Sequence, residues 1–212
     1  PLEELSPITI DTCRRLAHPQ DFAQAQTTAT RVFNRELLYY ECESRMRHKN
    51  GQWVWILDRG KVARWSDDGQ PLLMLGTTQD ITERKKSEET IQHLLNHDRL
   101  TGLPSSRLAD DRLARALSSA RRSKSLAAVM FLDLDGFKEI NDRFGHSAGD
   151  EVLKEVGQRL LACIRDTDTV ARRGGDEFLV IASELHGPEG AALIAEKILA
   201  ALSLPFHVGG AP

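Results

Sequence analysis

Thr169-Val170-Ala171-Arg172-Arg173-Gly174-Gly175-Asp176-Glu177-Phe178-Leu179-Val180-Ile181-Ala182 is the stretch whose reading decides the fold. Two short apolar runs joined by paired glycines and an acidic pair predict a β-hairpin. The glycines permit positive φ and let a large ligand approach the backbone. Asp176 and Glu177 then sit at an exposed tip, where carboxylates are able to hold a divalent cation. The same pattern also describes an ordinary Gly-Gly turn with solvated acids, so a second element has to decide between them.

That element lies some forty residues upstream. Ala127-Ala128-Val129-Met130-Phe131-Leu132 is a continuous apolar run, as expected of a buried strand, and it ends in Asp133-Leu134-Asp135-Gly136. Carboxylates at a strand end beside an acidic hairpin tip repel one another without a cation between them. Mg²⁺ suits such a group and keeps positions open for phosphates. Next come Phe137-Lys138-Glu139-Ile140-Asn141-Asp142 and Gly145-His146-Ser147-Ala148-Gly149-Asp150-Glu151-Val152-Leu153. In order and spacing these elements resemble the GGDEF domain of diguanylate cyclases, from roughly Asp98 to the end of the chain. Leu100-Thr101-Gly102-Leu103-Pro104 matches the opening of that domain. Two departures stand out: Ser105-Ser106 where the family usually has Asn-Arg, and Arg173 where an aromatic or aliphatic residue usually precedes the glycine pair.

The resemblance implies a ferredoxin-like sheet, related to polymerase palms. The implied reaction joins two GTP molecules into cyclic di-GMP with release of two pyrophosphates, in a homodimer whose two sites face each other. Asp133 and Glu177 correspond to metal ligands for Mg²⁺ or Mn²⁺, with the Leu134 carbonyl adding an oxygen. Asp176 corresponds to a metal ligand or an aid to deprotonating the 3′-hydroxyl, and Asp135 to a structural carboxylate. Gly174 and Gly175 correspond to backbone against which the triphosphate lies. Asn141 and Asp150 resemble the guanine-reading pair, although Asp150 also fits a helix N-cap. Lys138 fits either a phosphate contact or a solvated side chain, and His146 reads as structural. Arg165-Asp166-Thr167-Asp168 matches the inhibitory product-binding element. Its bland alternative is a helix-terminal Arg with an exposed Asp.

The first part of the chain is β-rich. His18-Pro19-Gln20-Asp21 opens a helix through about Arg35. Strands are expected over Tyr39–Arg47, Trp53–Leu57, Lys61–Trp65 and Leu72–Ile81, with turns at Lys49-Asn50-Gly51 and Asp67-Asp68-Gly69. This segment resembles the C-terminal portion of a PAS domain, closing on Asp80-Ile81-Thr82-Glu83-Arg84-Lys85. Trp53 and Trp55 share one strand face and fit core packing better than a ligand pocket. His18 and His48 carry no surrounding haem signature. Residues 83–97 suit a helix whose apolar seam, Ile91 and Leu95 among it, is ragged. Both a dimerising signalling helix and a solvated linker fit it.

The expected organisation is therefore α/β (α+β): a PAS-like antiparallel domain over 1–82 whose ligand is unspecified, a helical linker over 83–97 and a GGDEF domain over 98–212. Both domains are expected to be partial, with Leu204 to Pro212 resembling the lead-in to a further strand. The net charge of −3 argues against a nucleic-acid binder. No apolar run is long enough to span a bilayer, and nothing after Pro1 resembles a leader. The scattered Cys13, Cys42 and Cys163 suggest reduced thiols. The reading is a cytoplasmic sensor diguanylate cyclase. Its alternative is a catalytically silent GTP-binding module that regulates an attached phosphodiesterase.

Overall fold

Residues 10–206 are described by the computed structural model, and the chain divides into two units after Thr90. In the first unit, α1 (Ile10–Leu16) and α2 (Pro19–Phe33) precede a three-stranded antiparallel sheet. Its strands are β1 (Tyr40–Arg47), β2 (Trp53–Trp65) and β3 (Pro71–Asp80), in that spatial order. Helix α2 starts where Pro19 presets φ and His18 caps it, the ring Nδ1 accepting from the Gln20 amide at 3.3 Å. The His18 ring also packs edge-on against Trp53.

The two strands expected over Trp53–Leu57 and Lys61–Trp65 are one. Asp58-Arg59-Gly60 reads as a turn by composition, yet it pairs in register with Thr78, Thr77 and Gly76. Two glycines face each other there. A Cβ on Gly76 would lie 2.3 Å from the Arg59 carbonyl oxygen, so the paired glycines permit a close backbone approach rather than a reversal. Trp55 is covered by the Arg45 guanidinium and the Lys85 ammonium, which stack over its ring.

Asp21 ties α2 to this sheet. It accepts from the Arg45 guanidinium at 2.7 and 2.8 Å and from the Arg45 amide at 2.9 Å. The Arg45 hydrogen bond holds the Asp21 carboxyl down at about 2, against a smaller opposing push from burial.

Helix α3 (Thr82–Asn96) follows, with the division falling inside it. Within the first unit its opening turn bonds back to β1, Arg84 and Lys85 both pairing with Glu43. In the second unit the order is α4 (Ser106–Ser123), β4 (Leu126–Leu132), α5 (Phe137–Phe144), α6 (His146–Cys163), β5 (Thr169–Gly174), β6 (Glu177–Leu185) and α7 (Pro188–Leu202). The sheet is antiparallel in the order β4-β6-β5. The period of two along the strands divides its side chains between two cores. Val170, Phe178 and Val180 pack with Val152, Val156 and Leu160 of α6 and Ile198 of α7. Ala171, Leu179 and Ile181 pack with Ala109 of α4 on the opposite face. The expected mixed α/β class is what the chain adopts. The residues from 207 onward, part of the expected lead-in strand, lie outside the described residues.

Replacing Asp21 with Asn should destabilise the first unit at neutral pH by about 1–2 kcal/mol. A depressed carboxyl stabilises above its unfolded value and loses that contribution as it protonates in the fold. The gap between parent and D21N should therefore be full above pH ~4 and close as pH falls toward ~2. Thermal melts of both proteins across that range check the sign; a gap independent of pH would refute the ion pair.

Candidate active site

β4 and β6 pair so that Leu132 stands opposite Phe178. One step further, past the end of β4, the same register brings Asp133 level with Glu177, and both are exposed. Two acidic residues from segments forty residues apart thus belong to the same end of the sheet. Asp176 is half-buried in the adjoining turn, and Asp135 is exposed. The turn depends on its glycines: Gly174 has φ 144° and Gly175 φ 55°, and a Cβ on either would meet nothing within 4 Å. That open space is room for a ligand against the backbone.

Arg172 anchors the turn. Its guanidinium donates to the Gly175 carbonyl at 3.0 and 2.6 Å and pairs with Asp98 at 2.9 Å. Asp98 also accepts from the Thr101 hydroxyl and amide. Burial alone would push the Asp98 carboxyl up, but the Thr101 bonds and Arg172 outweigh it and hold it below its usual range. The Arg172 amide donates to the Pro104 carbonyl, which completes the link between the 98–104 segment and the hairpin. The sequence did not single out Arg172 or Asp98; the Thr-Gly-Leu-Pro run was read only as a domain opening.

α5 and α6 form a second wall. Gly145, with φ 85°, occupies the N-cap position of α6, so the helix starts four residues before the expected Asp150. Asp150 lies inside the helix and is no cap. Gly149, inside α6, is required by a close contact. A Cβ there would lie 2.1 Å from the Asn141 side-chain oxygen and 3.2 Å from the Phe137 ring. The Asn141 carboxamide is thereby seated against the residue preceding Asp150, so the proposed guanine readers share one wall. Lys138, His146 and Asp150 are exposed.

In the Arg165–Asp168 element the two side chains are placed differently. Asp168 is buried (7% exposed), its carboxylate accepting from the Arg165 amide at 3.2 Å and the Ser183 amide at 3.0 Å. It closes the turn between α6 and β5 rather than standing in solvent, while the Arg165 side chain is exposed. A cavity of about 340 Å³ opens beside Asp168, lined by Arg112, Arg115, Ser119, Thr167 and Ser183 among others. In the first unit a cavity of about 320 Å³ is lined by Phe22, Phe33, Tyr40, Met46 and Asp58 among others. Burial pushes the Asp58 carboxyl up, against an opposing bond from the Thr78 hydroxyl.

The acids are hard oxygen donors of the kind Mg²⁺ takes with one or two carboxylates and substrate phosphates. Among the described residues, no three His, Cys, Asp or Glu side chains converge closely enough to hold a metal by themselves. The Asp133–Glu177 pair fits a cation completed by substrate oxygens. No helix among the described residues is long and apolar enough to cross a membrane. The three cysteines are free.

Residues 95–212 match the family model described as "Diguanylate cyclase, GGDEF domain", and residues 2–78 match the PAS fold. The cyclic di-GMP phosphodiesterase PdeR of Escherichia coli is 35% identical over 187 residues, covering 88% of this chain and 28% of the relative. The bifunctional diguanylate cyclase/cyclic di-GMP phosphodiesterase MucR of Pseudomonas aeruginosa is 46% identical over 124 residues, covering 58% and 18%. The chain spans less than a third of the length of the curated relatives it matches. Among solved structures, the GGDEF domain of TpbB (YfiN) from Pseudomonas aeruginosa superposes with a TM-score of 0.53 at 43% identity, covering 55% of this chain and 67% of that one. A sensory box/GGDEF family protein from Caulobacter crescentus gives 0.51 at 39%, covering 54% and 74%.

Losing the anchor should loosen the turn. Arg172→Ala is expected to cost about 2–4 kcal/mol, because it strands the part-buried Asp98 carboxylate and the Gly175 carbonyl. Asp98→Asn in the Arg172→Ala background should then cost far less than in the parent. A double-mutant cycle by denaturant unfolding measures this; additive costs would mean that the pair does not interact.

Proposed function

This chain belongs to the diguanylate cyclase GGDEF-domain family, and from that membership we propose that it condenses two GTP molecules into cyclic di-GMP. The observation that carries the reading is the β4–β6 register, whose last pair, Leu132 opposite Phe178, is followed by Asp133 on one strand and preceded by Glu177 on the other, beside an open Gly174-Gly175 backbone. Asp133, Glu177 and the Leu134 carbonyl would hold a divalent cation, Mg²⁺ or Mn²⁺. Once bound, it would neutralise phosphate charge and favour the alkoxide form of the attacking 3′-hydroxyl. Asp176, adjoining the pair, accepts the 3′-hydroxyl proton or shares the cation. Gly174 and Gly175 let the triphosphate lie along the turn.

Asn141 and Asp150 read the base. A carboxylate accepts from guanine N1–H and N2–H, which adenine does not offer together, and an unmatched polar edge costs affinity. Lys138 is the nearby candidate for a phosphate contact. In-line attack of each nucleotide on the other requires two sites face to face, hence a homodimer. Because Asp168 is committed to the turn, product inhibition would fall to the exposed Arg165 side chain and the adjoining arginine-lined cavity. The PAS-like unit would gate the output, its Asp58 cavity being the place to admit a small signal molecule. The setting is the cytoplasm, where GTP is available.

A second reading has its own support. PdeR carries the name of a phosphodiesterase while matching 88% of this chain. A silent GTP-binding module attached to such a domain keeps the same guanine wall without turnover.

Incubation of the full-length protein with GTP and Mg²⁺ should yield cyclic di-GMP and pyrophosphate. Glu177→Ala should abolish turnover with little change in thermal stability, since an exposed hairpin-end acid adds little to the fold. GTP binding without product from the parent would favour the silent module. A folded Glu177→Ala variant that still cyclises would refute the site.

Feedback supplies a further check. Arg165→Ala should relieve inhibition by added cyclic di-GMP while leaving the initial rate intact. Superimposable inhibition curves for parent and variant would make Arg165 a surface residue only.

A further inference from the structure

Arg172 and Arg173 are adjacent in sequence and opposite in fate. The β5–β6 ladder runs evenly from Thr169 opposite Ile181 to Arg172 opposite Phe178, then skips, so that Gly174 faces Glu177. Arg173 is the extra residue of a β-bulge, a device that re-aims a side chain where a regular strand would not send it. Arg172 turns inward to Asp98, and its side chain is only 10% exposed. Arg173 is exposed, and its guanidinium lies 5.5 Å from the centre of the Phe131 ring.

Phe131 is on β4, the far strand of the sheet from β5. Reaching it means crossing β6, a span of about 10 Å between the outer strands. The crossing occurs at the end of β6 that begins with Glu177, and Phe131 precedes Asp133 by two residues. The guanidinium is thus carried over the acidic end of the sheet. Among the described residues it forms no ion pair, and the ring beneath it is 70% exposed. A planar cation held on an aromatic face keeps its N–H edge free for a bidentate anion.

We propose that Arg173, steadied by Phe131, is a substrate-contacting residue that clamps the phosphates of the nucleotide at this site. The assignment rests on the GTP reading above and specifies the part of the substrate that Arg173 holds. A triphosphate brought up to Asp133, Asp176 and Glu177 meets like charge, and Arg173 supplies a cation from this chain alongside any bound metal. Arg suits the role better than Lys, because only a guanidinium both stacks and forks.

The test is calorimetric binding of GTP, inorganic pyrophosphate and guanosine, each with Mg²⁺, to the full chain. Parent, Arg173→Ala, Arg173→Lys and Phe131→Ala are compared, with thermal melts to establish folding. Arg173→Ala should weaken GTP and pyrophosphate about tenfold, the scale of one charge-assisted bidentate contact, and leave guanosine unchanged. Arg173→Lys should recover part of the loss. Phe131→Ala should cause a smaller loss confined to the same two ligands. Unchanged pyrophosphate affinity in folded Arg173→Ala, or an equal loss for guanosine, overturns the clamp. A parent that binds pyrophosphate but not GTP defeats the nucleotide reading and leaves Arg173 only an anion contact, which overturns the proposal as stated.

Discussion

The pairing register of β4 with β6 is the constraint on which the second unit depends. β6 is buried on both faces, with Phe178 to Ala182 all buried, and among the described residues of this sheet it is the central strand, pairing with β4 and β5. Phe178 and Val180 point to one core, Leu179 and Ile181 to the other. A slip of one residue would exchange those sets and move every large side chain to the wrong layer. The packing of two cores therefore fixes the register, and the register brings Asp133 level with Glu177. The site gains its geometry from hydrophobic packing that never touches a ligand.

Placing two carboxylates together is unfavourable, and the fold does nothing to neutralise them with its own short-range partners. The neighbouring cationic side chain with a fixed acid partner is Arg172, and its charge is committed to Asp98. The result is a rigid turn carrying acids that await a counter-charge from elsewhere. Rigidity comes from the Arg172 bonds to the Gly175 carbonyl, and openness comes from glycines with nothing above them. A turn frozen by side chains on its ligand face would lack that room.

Much of this was legible in the sequence because it obeys local rules. The hairpin, the apolar β4 run and the helices appear within a few residues of expectation, since period and turn composition determine them. Where the structure departs from expectation, a distant contact decides. The strands expected over Trp53–Leu57 and Lys61–Trp65 are continuous, because Gly60 faces Gly76 in mid-strand. Asp150 fits an N-cap by type, whereas α6 already begins at His146 and the Gly149 before it makes room for Asn141. The exposed Asp168 of the bland alternative is not what the fold contains, because the Ser183 amide bonds to it from the next strand, and nothing local reveals that. A cation beside the hairpin acids is suggested by the pattern itself, whereas the guanine-reading roles of Asn141 and Asp150 come through resemblance.

The two adjacent arginines show how far one inserted residue reaches. In an unbroken ladder, residues 172 and 173 would simply alternate between the two cores. Here the first enters a part-buried ion pair, and the bulge frees the second to lean across the sheet. Burying Arg172 is tolerable because Asp98 and the Gly175 carbonyl satisfy it. Exposing Arg173 is tolerable because Phe131 offers a π-face while water solvates the rest. The same short segment thus supplies a structural cation that holds the turn and a free cation above it. On the proposed nucleotide reading both would serve: the first to keep the acids in position, the second to offset the charge of an arriving polyanion.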